Sequence, residues 1–185
     1  MGKIAVIYKS IYGTTKQYAK WIAEELNASL FEASEMKAKQ LLNYDVVVFG
    51  GGLYASGIIG VKLVKNNPCN ALVVFTVGAA NPETTDYKGI LSKNFSNVLL
   101  AKIRIFHFQG GIDYGKLNPV HRAMMAMLRK SIERKPLNKR DADDPAFLAT
   151  YGKKFDFTDK AAISPLVEYV RSLPESAQGE EVIRT

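Results

Sequence analysis

The sequence KIAVIYKSIYGTT, residues 3–15, decides the fold. Residues 4–8 form an apolar run that favours a short, buried β-strand. A loop of hydroxyl residues and one glycine follows at once, and a helical pattern begins at Lys16. A strand, a tight turn and a helix N-terminus in this order present backbone N–H groups that have no acceptor within the helix. The stretch therefore predicts a site for a phosphate group.

The loop residues leave two interpretations. Ser10, Thr14 and Thr15 could donate hydrogen bonds to a phosphate beside the backbone of Gly13. Alternatively, these hydroxyls only cap the helix by accepting hydrogen bonds from its first N–H groups. Because three hydroxyl residues and a glycine are more than one cap requires, we predict the phosphate site.

The spacing of the glycine narrows the class of phosphate ligand. A dinucleotide loop requires G-x-G-x-x-G and a Walker A loop requires G-x-x-x-x-G-K-[ST], whereas this loop contains only Gly13. The segment SIYGTT, residues 10–15, resembles the FMN phosphate loop of flavodoxins, [ST]-x-[ST]-G-x-T, with Tyr12 in the middle hydroxyl position. The resemblance implies FMN as the cofactor.

Strands and helices alternate along the chain, which predicts a doubly wound α/β fold. The predicted strands lie at residues 4–8, 29–32, 45–49, 70–77 and 98–108. The predicted helices lie at residues 16–27, 34–42, 60–65, 84–92 and 159–173. We expect a flavodoxin-like, five-stranded parallel sheet of order 2-1-3-4-5 in one domain, residues 1–175. A helical insertion at about 110–150 follows the last strand, and 176–185 is a polar tail.

Two further loops of small residues follow the third and fourth predicted strands. Parallel strands end at the same edge of a sheet, where ligands bind, so we expect these loops to flank the flavin ring. Tyr54 could stack on a flat ligand, or it could serve only in packing. No catalytic side chain is predicted. The predicted cofactor-binding residues are Ser10, Ile11, Tyr12, Gly13, Thr14, Thr15, Gly52, Leu53, Tyr54, Ala55, Gly78, Ala79 and Ala80.

The insertion contains a methionine-rich, basic helix. Asn118 as cap and Pro119 in the first turn suit a helix over residues 119–134. Three interpretations are open: the helix packs on the core with a solvated basic face, lies on an anionic membrane surface over 119–140, or shapes a pocket for an apolar ligand. Nucleic acid is not an expected partner, because no recognition motif accompanies the basic residues. We expect the acidic residues at 141–144 to form a solvated loop.

Composition limits the class of protein further. The chain of 185 residues has a net charge of +7, which favours anionic partners. Its single cysteine, Cys69, and its two histidines, His107 and His121, suggest neither an internal disulfide nor a protein-bound metal. We expect His107 to be a structural residue of an edge strand. The chain shows no run of 18 apolar residues and no signal-peptide pattern, so we expect a cytoplasmic protein.

Several segments together resemble the menaquinone-dependent protoporphyrinogen IX dehydrogenase family. They are the phosphate loop, the G-x-x-Y segment at 51–54, GGIDY at 110–114 and HRAMMAMLRK at 121–130. The resemblance spans about residues 3–173 and implies electron transfer from a porphyrinogen-like donor to a quinone-type acceptor, with peripheral membrane association. Two alternatives stay open: a flavodoxin-type carrier that docks a redox-protein acceptor, and an interaction domain without a flavin.

Overall fold

A computed structural model describes residues 2–54, 56–141 and 144–174 of the chain. The predicted site residue Ala55 and the predicted tail at 176–185 lie outside the described residues.

Five parallel strands form the central sheet of the described part of the chain, and a short antiparallel strand, β4, extends it. The order is β2-β1-β3-β5-β6, and β4 pairs with β3. The predicted order 2-1-3-4-5 is confirmed. Because β4 is counted as a separate strand, the predicted fourth and fifth strands are β5 and β6. The strands are β1 (Ile4–Lys9), β2 (Ser29–Glu32), β3 (Val46–Tyr54), β4 (Gly57–Ile58), β5 (Ala71–Gly78) and β6 (Arg104–Gln109).

Helices cover both faces of the sheet. They are α1 (Thr14–Leu26), α2 (Lys62–Lys65), α3 (Lys88–Asn94), α4 (Asn97–Leu100), α5 (Pro119–Arg134), α6 (Asp144–Thr150) and α7 (Ser164–Ser172). Short 3-10 helices lie at Ala38–Asn43, Tyr114–Lys116, Leu137–Lys139 and Lys160–Ile163. A small antiparallel hairpin of β7 (Gly111–Asp113) and β8 (Lys154–Asp156) belongs to the insertion.

The core has two layers, one on each face of the sheet. Val6 of β1 packs with α1 and α7, whereas its neighbour Ile7 packs with the layer that contains Leu41 and Val64. Successive residues of a strand point to opposite faces, and both faces are covered here. This double burial explains why the central strands are continuous apolar runs rather than alternating ones.

The third strand is longer than predicted, which corrects the expected loop at residues 50–54. β3 continues through the glycines to Tyr54, with Gly50 paired to Tyr8 of β1 and to Phe75 of β5. A Cβ atom at Gly50 would lie 2.0 Å from Cζ of Phe75. Glycine is therefore required at this position by the close approach of a core aromatic ring.

The predicted strand at 98–108 is wrong in its first half. Its first residues belong to α4, which the Ser96 hydroxyl caps by accepting a hydrogen bond from Leu99 N at 3.3 Å. The local cap overrides the apolar pattern there, and only β6 is extended. The predicted helix at 84–92 also begins later, at Lys88, because Thr85 Oγ1 donates to Asn81 O at 2.7 Å in a preceding turn.

Other element boundaries shift by a few residues. α1 begins at Thr14 rather than at Lys16, and the predicted helices at 34–42 and 60–65 shorten to the 3-10 helix Ala38–Asn43 and to α2. The predicted helix at 159–173 begins as the 3-10 helix Lys160–Ile163 and continues as α7, with Asp159 as the cap.

The insertion forms a packed lobe beside the carboxyl edge of the sheet. Tyr151 contacts Tyr114, with ring centroids 5.1 Å apart, and the Arg129 guanidinium lies 4.9 Å from the Tyr151 ring. Lys135 Nζ pairs with Asp141 at 2.6 Å and with Asp144 at 3.2 Å. Asp144 is buried and begins α6, which corrects the predicted solvated loop at this residue.

Candidate cofactor site

A cleft of about 870 Å³ opens at the carboxyl edge of the sheet. Its walls come from the segments that follow β1, β3, β5 and β6 and from the insertion. The volume falls in the range of small-molecule sites, roughly 300–1,000 Å³. The cleft therefore lies where ligands bind in doubly wound sheets.

The phosphate loop leaves the N-terminus of α1 open. Gly13 stands at the cap position with φ +102°, and no described side chain caps the helix. The Ser10 hydroxyl instead accepts a hydrogen bond from Gly13 N at 3.0 Å and closes the turn. The alternative that the hydroxyls only cap the helix therefore has no support in this geometry. The first N–H groups of α1 have no intrahelical acceptor and can bind an anion.

The two threonines at the start of α1 face neighbouring loops. Thr15 is buried, and its Oγ1 would lie 3.4 Å from a Cβ atom at Gly52. Thr14 Oγ1 would lie 3.2 Å from a Cβ atom at Gly110. Each hydroxyl thus lies beside a glycine, where a ligand can approach the backbone closely.

The loop after β5 is fixed from both sides. Gly78 packs against Leu53 of β3, because a Cβ atom at Gly78 would lie 3.1 Å from Leu53 Cδ1. Gly110 N donates a hydrogen bond to Gly78 O at 2.7 Å, and Gln109 Nε2 donates to Ala79 O at 3.2 Å. The segment after β6 therefore supports the loop that is predicted to flank the ring.

Tyr18 of α1 holds the end of β6 in place. Its hydroxyl donates a hydrogen bond to Gln109 O at 2.8 Å and accepts one from Asp159 N at 3.0 Å. Burial raises the pKa of the Tyr18 phenol, so it stays a neutral donor. This tyrosine links the cofactor edge of the sheet to the start of the C-terminal helices.

The structure brings most of the predicted site residues together. Gly13 shapes the phosphate loop without lining the cleft, and Ala55 lies outside the described residues. The predicted residues that line the cleft are Ser10, Ile11, Tyr12, Thr14, Thr15, Gly52, Leu53, Tyr54, Gly78, Ala79 and Ala80.

The sequence analysis assigned no site residue to the part of the cleft that the insertion builds, although a pocket for an apolar ligand was one of its three interpretations of the inserted helix. We call this part the apolar compartment, lined by Met124, Met125, Leu128, Ile132, Phe147, Phe155 and Phe157. Its α5 members, Met124, Met125, Leu128 and Ile132, recur at helical spacing, so the amphipathic pattern of the sequence already indicates this apolar face. Two other apolar residues of this helix, Val120 and Met127, do not line the cleft and are 66 % and 68 % exposed.

Aromatic residues join the phosphate loop, β3 and α5. The Tyr12 hydroxyl is hydrogen-bonded to His121 Nδ1, and the two rings meet edge to face with centroids 5.4 Å apart. The Tyr54 ring lies 4.3 Å from the His121 ring, and its hydroxyl donates to Met124 Sδ at 2.8 Å. Burial first, and the proximity of Tyr12 second, raise the pKa of the Tyr54 phenol.

His107 has the structural setting that was predicted for an edge strand. It lies in β6, its Nδ1 is 2.6 Å from Thr76 Oγ1, and its ring stacks on Tyr87 with centroids 3.5 Å apart. Burial lowers its pKa from 6.5 to about 4, so the ring is neutral at physiological pH. It is not among the described residues that line the cleft.

The residues of the cleft fit FMN. The unpaired N–H groups at the start of α1 and the loop hydroxyls suit a phosphate. The loops of small residues, together with Tyr54, suit an aromatic ring. The phosphate loop needs no lysine or arginine for this, because the helix N-terminus itself provides partial positive charge.

Comparison with known proteins identifies the family of the chain. An uncharacterised protein of Methanocaldococcus jannaschii is 40 % identical over 53 residues, 28 % of this chain, and the match spans about a third (35 %) of that relative's length. Flavodoxin 2 of Bacillus cereus shares 20 % identity over 58 % of this chain and 84 % of its own, with a TM-score of 0.44. A Fusobacterium nucleatum flavodoxin bound to flavin mononucleotide shares 12 % sequence identity with this chain. The match covers 60 % of this chain and 72 % of that flavodoxin, with a TM-score of 0.43. A family model of the flavodoxin domain matches residues 5–138, and the chain therefore belongs to the flavodoxin-domain family.

Proposed function

We propose that the protein is an FMN-dependent oxidoreductase that passes electrons from a small reduced donor to a quinone-type acceptor. The open N-terminus of α1, with Ser10, Thr14 and Thr15, would hold the phosphate. The segments at 52–54 and 78–80 would flank the ring. When bound, FMN supplies the redox chemistry, and the protein binds, orients and tunes it.

The observation that carries this proposal is the apolar compartment. A carrier that only exchanges electrons with large partners needs no room for a second small molecule. Here the cleft extends from the cofactor loops into a space walled by α5, α6 and the segment that includes β8. Methionine and phenylalanine walls suit a flat or flexible apolar ligand. They therefore favour an enzyme with a small apolar substrate over a carrier.

The donor and the acceptor are proposed by chemical class. A porphyrinogen-like donor is what the family resemblance implies. Porphyrinogens and quinones both present apolar ring surface, so the apolar compartment suits either of them.

Quinone reduction tests the proposal directly. The FMN-loaded protein is reduced without oxygen and mixed with a short-chain quinone, and the flavin absorbance is followed. We expect rapid oxidation of the flavin, and we expect Leu128→Glu, in the compartment wall, to slow it while FMN binding persists. The matched control is Met127→Glu on the solvent side of α5. Equal rates in the wild type and both variants would contradict a role for the compartment and favour the carrier.

An anionic membrane surface is the partner that we propose for the outer side of the insertion. Val120, Met127 and Leu137 are 66 %, 68 % and 80 % exposed. We call these three residues, with the exposed cations Arg122, Lys130, Arg134 and Lys139, the outer patch. Apolar and basic side chains together suit anionic lipid. Within the described residues, no helix is long and apolar enough to cross a bilayer.

A further inference from the structure

We propose that His121 is a positioning residue of the cofactor site. From the inserted helix α5, it holds Tyr12 of the phosphate loop and Tyr54 at the end of β3 in one cluster. The insertion thereby sets FMN affinity as well as forming the apolar compartment. This inference rests on the proposed binding of FMN.

The cap of α5 fixes the backbone of His121 independently of the contacts that its side chain makes. Pro119 occupies the first turn of α5, and the Asn118 side chain accepts a hydrogen bond from His121 N at 2.8 Å. A capped helix start gives the residue a defined direction. Its ring has only two side-chain torsions, so little entropy opposes its placement.

Tyr12 is the residue that needs this support. It lies at the tip of the phosphate loop, between Ser10 and Thr14, and is 39 % exposed. Burial alone does not hold an exposed side chain in one rotamer. The hydrogen bond to His121 Nδ1 and the edge-to-face ring contact do so across 109 residues of sequence. A loop that is ordered in advance loses less entropy when it binds a phosphate.

Tyr54 meets the same turn of α5. Its ring packs on His121, and its hydroxyl bonds Met124, one turn further along the helix. His121 thus contacts both the residue beside the phosphate and the residue beside the ring. Since FMN carries both groups, one side chain can influence both ends of its site.

A competing explanation is that the cluster only secures the insertion to the domain. In that case the loss of His121 lowers the stability of the apoprotein but leaves FMN affinity unchanged. The two explanations differ in whether Tyr12 and His121 act together on FMN binding, and a double-mutant cycle measures this coupling.

The test uses Tyr12→Phe, His121→Phe and the double variant. Phenylalanine at 121 keeps a ring against Tyr54 but removes Nδ1, and phenylalanine at 12 removes the hydroxyl. Fluorescence titration gives the dissociation constants for FMN and for riboflavin, which lacks the phosphate. We expect each single variant to weaken FMN binding about 5- to 10-fold, as the loss of one hydrogen bond predicts, with little further loss in the double variant. We expect riboflavin binding to change much less.

The matched control is Val120→Ala, the neighbouring residue on the solvent side, which should leave FMN binding unchanged. Additive effects of the two substitutions, or wild-type FMN affinity in His121→Phe, would overturn the inference. Should His121→Phe fail to fold in a thermal scan, His121→Leu, which also removes Nδ1, replaces it in the same cycle and is judged by the same two outcomes. A wild-type protein that binds no FMN contradicts the proposed function itself, and with it this inference.

Discussion

The Tyr54 hydroxyl, on the last residue of β3, donates a hydrogen bond to Sδ of Met124 in α5 at 2.8 Å. This contact joins the edge of the parallel sheet to the insertion. A thioether is a weak acceptor, so the position of Tyr54 depends mainly on its ring, which packs on His121. The ring and the hydroxyl of Tyr54 should therefore have separable effects.

Tyr54→Phe and Tyr54→Ala separate them. Phenylalanine keeps the ring, and we expect FMN affinity close to that of the wild type. Alanine removes the ring, and we expect the dissociation constant for FMN to rise about 10-fold, as the loss of an aromatic contact predicts. Fluorescence titration of both variants measures the difference. Equal affinity of the two variants would contradict a stacking role for Tyr54.

Gly13→Ala tests the conformation of the phosphate loop. A Cβ atom at Gly13 would meet no heavy atom within 4 Å, so the cost comes only from its φ of +102°. We expect a loss of about 1–2 kcal/mol in the free energy of unfolding and weaker FMN binding.

Gly89→Ala is the matched control for Gly13→Ala. Gly89 lies in α3, and a Cβ atom there also meets nothing within 4 Å. Alanine is the better helix former, so we expect a gain of roughly 0.5–1 kcal/mol. Denaturant unfolding of both variants gives the comparison. A Gly13→Ala protein as stable as Gly89→Ala would show that the positive φ carries no cost.

His107 should make stability sensitive to acid. The imidazole titrates near its ordinary 6.5 in the unfolded chain and near 4 in the folded protein. Between these values the unfolded chain binds more protons, so the contribution of His107 is complete above pH 6.5 and is lost as the pH falls toward 4. We expect this loss to amount to about 1–3 kcal/mol, allowing for partial exposure.

His107→Phe measures that contribution. Phenylalanine keeps a ring to stack on Tyr87 but carries no titrating group. Urea unfolding of the wild type and of the variant between pH 4 and pH 7 should give a smaller slope for the variant in this window. Parallel slopes would mean that carboxylates alone cause the acid sensitivity.

The outer patch predicts binding to anionic vesicles. At low salt, phosphatidylserine vesicles should sediment the protein, neutral phosphatidylcholine vesicles should not, and salt should release it. Met127→Glu should weaken the binding. Val98→Glu, at an equally exposed apolar residue of α4, serves as the control, since Val98 is 69 % exposed. Equal sedimentation with both lipids, or equal loss in both variants, would argue against this surface.

Local sequence patterns were sufficient to predict the elements that carry strong capping or hydrophobic signals. The strand at 29–32 and the helix at 119–134 have the predicted bounds, because the Asn118 cap and Pro119 fix the helix start. The doubly covered parallel sheet follows from its continuous apolar runs, whereas the strand order was expected from the resemblance to flavodoxins. The turn and helix at 10–15 also have the predicted form, apart from a helix start two residues earlier.

The parts of the fold and of the site that were not predicted depend on contacts between residues distant in sequence. β3 continues through Gly50 because this residue pairs with Tyr8 and Phe75 on the two neighbouring strands, which no local pattern reveals. The hairpin of β7 and β8 pairs segments more than 40 residues apart, such as Ile112 with Phe155. The apolar compartment exists only once that hairpin and α5 meet, so the sequence pattern of α5 indicated an apolar face but not that this face lines the cofactor cleft.

FMN titration of the purified chain, with riboflavin as the comparison, tests the central claim most directly. The account predicts that FMN fluorescence is quenched to saturation and that riboflavin binds far more weakly, because the open N-terminus of α1 binds the phosphate. If neither FMN nor riboflavin binds to the protein, the loop at 10–15 is only a tight turn, and the oxidoreductase proposal is wrong.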